Sequence, residues 1–285
     1  MATASTSSVR TTRQAPGRLA GVGLVVEHYW TWYHRNWRAT VVSSVLQPLL
    51  FLLAFGFGFG TLVADRAGEG VGGDYLGWLA PALLAVTAVQ SAAFEGTYPV
   101  LSGFIWQRIY LGMAASPLTP AQIALGHLSW VVLKMTGTAA VFLVVVVLLG
   151  GARSPWVVLA LPGAVLAGAA CAALVMAYAA TRESEGNAFS ALFRFGVVPM
   201  ILFSGTFFPI DRLPDWARWL AWVSPLWHGT ELARAAGFGQ WRPLALSGHV
   251  AYLGALLVVG AALLVRNFRR RSEEHTSELQ SLRHL

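Results

Sequence analysis

The sequence predicts an all-α polytopic membrane protein, and three observations carry that prediction. Six long apolar runs lie near 41–63, 75–94, 123–149, 156–180, 192–208 and 244–265. The chain is 56% hydrophobic and only 12% charged, whereas a soluble domain carries roughly 25% charged residues. The basic residues gather at the ends of the runs instead of along them. A helix needs about 20 apolar residues to cross a hydrocarbon core of about 30 Å. Most of the runs meet this, and 192–208 is marginal. Lipid offers the backbone no hydrogen-bond partners, so each run reads as a helix.

Residues 1–18 are polar, rich in Ser, Thr and Arg, and read as a disordered N-terminus. No early apolar segment suggests a signal peptide. Residues 25–38 mix Trp30, Trp32, Tyr33 and Trp37 with His28, His34, Arg35 and Arg38. Aromatic rings settle at the headgroup level and Arg snorkels to phosphates, so this stretch reads as an amphipathic helix on the inner leaflet. In the first span, Gly56 and Gly60 form a small-xxx-small pair suited to close packing. The link 95–122 is mostly apolar, carries Arg108, and is broken by Pro117 and Pro120. It reads as a short cytoplasmic helix and a turn, suited to docking a partner. The Ala-rich fourth run reads as buried packing.

The link before the sixth span is too apolar for a free loop and is interrupted by Pro209, Pro214 and Pro225. Trp216, Trp219, Trp222, Trp227 and Trp241 mark an interface. Two short re-entrant helices that turn back near Ser224 and Pro225 are expected, shielded by protein or by a wet cavity.

Charge sets the orientation. With the N-terminus in the cytoplasm, inner segments hold twelve Arg against six outside, which satisfies the positive-inside rule with both termini inside. The formal charge of +7 therefore belongs to membrane topology and excludes nucleic acid as a partner. Nineteen of the twenty basic residues are Arg, a usage typical of GC-rich bacterial coding, so a bacterial plasma membrane is expected. The single Cys171 permits no intramolecular disulfide and no thiolate metal site. From Arg271 the chain reads RSEEHTSELQS, the in-frame translation of a common sequencing-library adapter. Residues 272–285 are accordingly read as an assembly artefact, and 19–271 as the membrane domain.

The block SGTFFPIDRLPDWARWLAWVSPLWHGTELAR at 204–234 resembles the signature of the permease subunits of type-2 ABC exporters, in the branch of nodulation protein J and drug-resistance permeases. AAFEGTY at 92–98 and GHLSWVVLK at 126–134 are similar to the nodulation-type branch. There Glu often follows the Gly, where this chain has His127. The resemblance covers about 20–270. It implies six spans, an N-terminal elbow helix, a cytoplasmic coupling helix between spans two and three, and re-entrant helices before span six. It also implies a dimeric permease served by separate ATPase subunits, with ATP and Mg bound on that partner and no cofactor on this chain. The signature residues carried over are Gly205, Pro209, Pro225, His228 and Glu231.

The residues bear on chemistry as follows. A P-loop needs Gly-x4-Gly-Lys-Ser/Thr; Lys134 is the only Lys and Met135 follows it, so ATP hydrolysis is assigned to another chain. Lys134 lies deep in span three, where a charge costs several kcal/mol by most estimates. It is a candidate for the translocation path, as a substrate contact or a latch, against a snorkelling or carbonyl-satisfied ammonium. Glu95, Tyr98 and Arg108 are candidates for ATPase coupling, with Glu95 either capping the coupling helix or pairing with Arg108. His228 and Glu231 suit a hydrogen-bonded brace for the re-entrant hairpin, because no nucleophile accompanies them as an acid–base pair. Histidines 28, 34, 127 and 249 show no metal-ligand spacing. The expected function is export of an amphipathic or hydrophobic solute (drug, lipid or lipo-oligosaccharide), with an ATP-independent carrier or channel as the alternative.

Overall fold

The computed structural model describes residues 16–54, 75–151, 154–184 and 187–282, and all of its regular elements among them are helical. Gly56 and Gly60, and the second half of the expected first span, lie outside the described residues.

Helix α1 (Arg18–Phe51) runs without a break. Its first half lies along α5 (Pro120–Leu148) in parallel register. Gly21 and Gly126 permit the approach: a Cβ on Gly126 would sit 2.5 Å from Val25 Cβ, and one on Gly21 would sit 2.4 Å from Gln122 Nε2. Tyr29 then stacks on His127 at 4.6 Å and on Trp130 at 6.0 Å. Thus 25–38 is not a separate elbow among the described residues. Part of its aromatic surface is spent on α5.

Helix α2 (Tyr75–Gly96) is buried along nearly its whole length. It breaks at Thr97, whose hydroxyl donates back to the carbonyls of Ala93 at 3.0 Å and Phe94 at 3.1 Å. Pro99 then opens the short α3 (Tyr98–Phe104). A turn with Arg108 at φ 51°, the only non-glycine with positive φ among the described residues, leads to α4 (Ile109–Ala114). Thr119 and Gln122 form a reciprocal capping box that starts α5. Helix α6 (Ala160–Ala179) is the centre of the bundle. Its small side chains let α2, α10 and α11 approach it closely.

The run Ala188–Phe203 is helical but shorter than the other apolar helices. It consists of α7 (Ala188–Ala191), a π-helical turn at Leu192–Val197 and α8 (Val198–Phe203). Pro199 cannot donate into the turn before it, which fits the widened helix there. Next come α9 (Asp215–Val223) and α10 (Pro225–Phe238), separated only by Ser224. Glycines seat α10: Gly163 lies under Leu232, Gly229 on Ala167 and Gly237 on Pro81. The last helix, α11 (Pro243–Leu282), has 40 residues, about 60 Å at 1.5 Å per residue.

Among the described residues, four helical stretches are long and apolar enough to cross a membrane: Tyr75–Phe104, Pro120–Leu148, Pro155–Ala179 and Pro243–Glu274. They correspond to the second, third, fourth and sixth expected spans. The bundle has two distinct ends. One is formed by α3, α4 and the end of α11, and the other by the α9–α10 hairpin.

Candidate functional site

At the last turn of α2, where the chain leads into α3 and α4, Lys134 and Glu95 meet. The ammonium of Lys134, midway along α5, donates to Glu95 Oε1 at 2.6 Å. Its Nζ also lies 5.6 Å from the ring centre of Tyr33. The two side chains are 13% and 25% exposed, so the pair is partly shielded and screened less than a surface pair. Glu95 therefore pairs with Lys134, not with Arg108, and it caps no helix. The break at Thr97 positions it on the last turn of α2, facing α5. Two residues assigned to separate roles, coupling and translocation, form one ion pair.

Tyr98 stands edge-on to Phe189 at 5.1 Å, and Phe94 packs on Phe193 at 4.7 Å. These rings join the same break to the π-helical run. Arg108 is exposed at the rim of a cavity of about 460 Å³, which Phe104, Tyr110, Leu111, Phe268 and Arg271 also line. The left-handed conformation at Arg108 turns the chain sharply between α3 and α4.

Tyr110 anchors this end. It is 4% exposed, and its hydroxyl bonds His127 Nδ1. Burial pushes the phenol well above its ordinary value of 10, so the hydroxyl keeps its proton and can donate. Phe104 and Phe268 pack on the same ring at 4.5 and 5.0 Å. Tyr29, stacked on His127, brings α1 to the same point. Below Phe104, Arg271 donates to the carbonyls of Ala180 at 3.0 Å and Arg182 at 2.6 Å, tying α11 to the end of α6.

At the hairpin end the governing residue is Arg234, one of the six Arg that the charge pattern puts outside. It is 6% exposed. Its Nη2 donates to the carbonyls of Gly205 at 2.6 Å and Thr206 at 3.0 Å, and its Nε donates to that of Trp78 at 3.4 Å. The guanidinium lies 3.6 Å from the centre of the Trp78 ring and 3.6 Å from Glu231 Oε1. Burial lowers its pKa to about 10, which leaves it protonated at neutral pH. Gly205 has φ 73°, and a Cβ there would lie 2.8 Å from Ile210 Cγ2, so the clamped turn requires glycine. Pro209 caps the 3₁₀ turn Ile210–Arg212, and Pro225 is the first residue of α10, where its missing N–H matters least.

His228 braces the hairpin. Its Nε2 faces the carbonyl of Trp222 at 2.9 Å and its Nδ1 faces His249 Nδ1 at 2.7 Å. Tyr252 stacks on it at 4.0 Å and donates its hydroxyl to the carbonyl of Val223 at 2.6 Å. Among the described residues no group of three His, Cys, Asp or Glu side chains is placed to hold a metal.

A family model described as ABC-2 type transporter matches residues 22–238, a span that includes both ends of the bundle. The chain belongs to the ABC-2 type transporter family. Nodulation protein J of Sinorhizobium fredii (strain NBRC 101917 / NGR234) is 31% identical over 219 residues, covering 73% of this chain and 81% of its own length. Nodulation protein J of Rhizobium leguminosarum bv. viciae is 28% identical over 247 residues, covering 85% and 93%. That of Rhizobium meliloti (strain 1021) is 29% identical over 255 residues, covering 85% and 94%. This ABC-2 protein is thus a multi-pass membrane permease with a transport function.

Proposed function

We propose that this ABC-2 permease is the membrane subunit of an exporter that moves an amphipathic or hydrophobic solute (drug, lipid or lipo-oligosaccharide) across a bacterial plasma membrane. Two copies form the pathway, and each is driven by a separate ATPase subunit that binds ATP and Mg. The ATPase docks at the α3–α4 end, which the Arg distribution places in the cytoplasm with both termini. The six spans of this reading are the four long helices together with the apolar runs 41–63 and 192–208 of the sequence. The aromatic and basic first half of α1 then meets inner-leaflet headgroups on the side away from α5.

One observation supports the docking assignment above the others. Tyr110 joins α4 to α1, α5 and α11 at one buried point, while Arg108 and Leu111 of the same segment remain exposed. A partner that pushes on those side chains moves three helices together. The Glu95–Lys134 pair lies about two turns further along α5 than His127, between α2 and α5, and can serve as a latch on the pathway or as a contact for an anionic group.

The same ion pair favours the alternative, an ATP-independent carrier or channel, because intramembrane ionisable pairs also serve as relays in carriers. Purified permease reconstituted with a P-loop ATPase subunit distinguishes them. The exporter reading expects ATP hydrolysis that rises when the permease is added and falls in Arg108→Ala. Substrate movement down its gradient with no ATPase present would support the carrier.

A further inference from the structure

Among the described residues, two polar contacts tie the hairpin turn to α11, Tyr252 to the Val223 carbonyl and His249 to His228, and the second depends on where single protons sit. His228 Nε2 faces the Trp222 carbonyl at 2.9 Å. A carbonyl brings no proton, so Nε2 carries the hydrogen. In a neutral imidazole the other nitrogen then offers only a lone pair. His249 Nδ1, 2.7 Å from His228 Nδ1, must therefore be the donor. This arrangement leaves His249 Nε2 as the open basic nitrogen.

A first added proton goes to His249 Nε2, and the contact survives as a charge-assisted bond. A second must go to His228 Nδ1 and replaces the lone pair. Two N–H donors on two cations would then face each other at 2.7 Å. We infer that the His228–His249 contact is a proton-operated latch that holds the α9–α10 turn on α11 and lets it go when both rings are cationic.

Among the described residues, the surroundings do not offset that charge. From α11, Tyr252 stacks on His228 but commits its hydroxyl to Val223. From α10, Glu231 is engaged with Arg234 at 3.6 Å, with Asp211 beyond it. On α9, Asp215 and Arg218 pair with each other at 3.0 Å. The sequences of α6 and of the 3₁₀ turn Pro155–Leu159 carry no charged residue, and the sole acid of α2, Glu95, is at the other end of the bundle. Burial, against the Trp222 carbonyl, holds His228 below the ordinary imidazole value of 6.5. The hold is thus complete above about pH 6.5 and is lost as pH falls below it. The latch itself is independent of the exporter reading. Only the side whose pH it senses rests on the proposed topology.

The test uses full-length permease in phosphatidylcholine nanodiscs, in a Cys171→Ala background, with spin labels at Trp219→Cys on α9 and Val258→Cys on α11. Both positions are exposed. One narrow distance distribution is expected at pH 8. A second, broader population should grow as pH falls, by up to about tenfold per pH unit for each proton taken up. His249→Phe, which leaves one imidazole, should give a flat profile, and His249→Asn serves if the Phe variant does not fold. Imidazole ¹⁵N spectra of the protein without spin labels at pH 8, with the signals of His228 and His249 assigned among the seven histidines by single substitution, should show His228 protonated at Nε2 and His249 at Nδ1. A wild-type distribution unchanged from pH 8 to 4.5 would overturn the inference. So would an undiminished response in the His249 variant, or two rings both protonated at Nε2.

Discussion

Arg234 and Lys134 are both shielded cations in an apolar bundle, but they are satisfied in different ways. Arg234 points at three backbone carbonyls and the face of Trp78, groups fixed by the fold. Lys134 meets one carboxylate, carried by a side chain on another helix. A cation held by backbone has no second partner available without unfolding the turn that supplies it. A pair between two flexible side chains on separate helices can exchange partners as the helices slide. The hairpin end is therefore built as a brace and the α3–α4 end as a joint.

The largest expected effect tests the brace. Arg234→Met strips the donors from Gly205, Thr206 and Trp78 and leaves Glu231 without its counter-charge. Glu231 is 39% exposed, so its loss of a partner counts for little; the carbonyls left without a buried donor cost about 1–3 kcal/mol each, so thermal unfolding in detergent should show a large loss of midpoint or no folded protein. Arg234→Lys should rescue little, because a point charge cannot reproduce the planar fork. A wild-type melting temperature in either variant would remove the distinction between the two ends.

The joint should behave differently. Lys134→Met or Glu95→Leu alone strands a charge, at a cost of about 1–3 kcal/mol after discounting the 13% and 25% exposure for solvent. The double variant should recover most of that stability while ATPase stimulation stays low. Full recovery of activity in the double variant would show that the pair is only structural. Gly205→Ala should cost about 1–2 kcal/mol, the penalty of a left-handed residue with a side chain, and should leave ATPase binding unchanged. Tyr110→Phe removes one hydroxyl donor from a buried partner, about 1–2 kcal/mol. It should lower ATPase stimulation more than ATPase co-purification.

The sequence made the spans legible because apolar length is a local property, and 75–94, 123–149, 156–180 and 244–265 all fall in long helices. The break between α9 and α10 was legible too, since proline acts on its own backbone and Pro225 follows the turn at Ser224, whereas Gly205 entered only through the family signature. The pairings were not. Glu95 and Lys134 are 39 residues apart, and nothing in either run ranks Lys134 above Arg108 as the partner. The role of Arg234 was hidden because its acceptors are carbonyls, which every residue carries. The one available signal was an Arg three residues after Glu231 inside an otherwise apolar helix. The aromatics of 25–38 read as interface anchors because composition cannot show that Tyr29 stacks on His127.

The smallest effect concerns the end of α11. Truncation after Arg271 keeps the bonds to Ala180 and Arg182 and removes the adapter-like tail, so stability should change by less than about 0.5 kcal/mol. A clear loss of folding would make 272–285 part of the protein.

The most direct test of the account is a comparison of the two ends by crosslinking to the ATPase. In a Cys171→Ala background, Leu111→Cys on α4 and Trp219→Cys on α9 place one reactive thiol at each end, at positions 42% and 55% exposed. The account predicts that Leu111→Cys crosslinks to the ATPase subunit in the purified complex and that Trp219→Cys does not. Crosslinking from Trp219→Cys, or from neither position in a complex that still hydrolyses ATP, would contradict it.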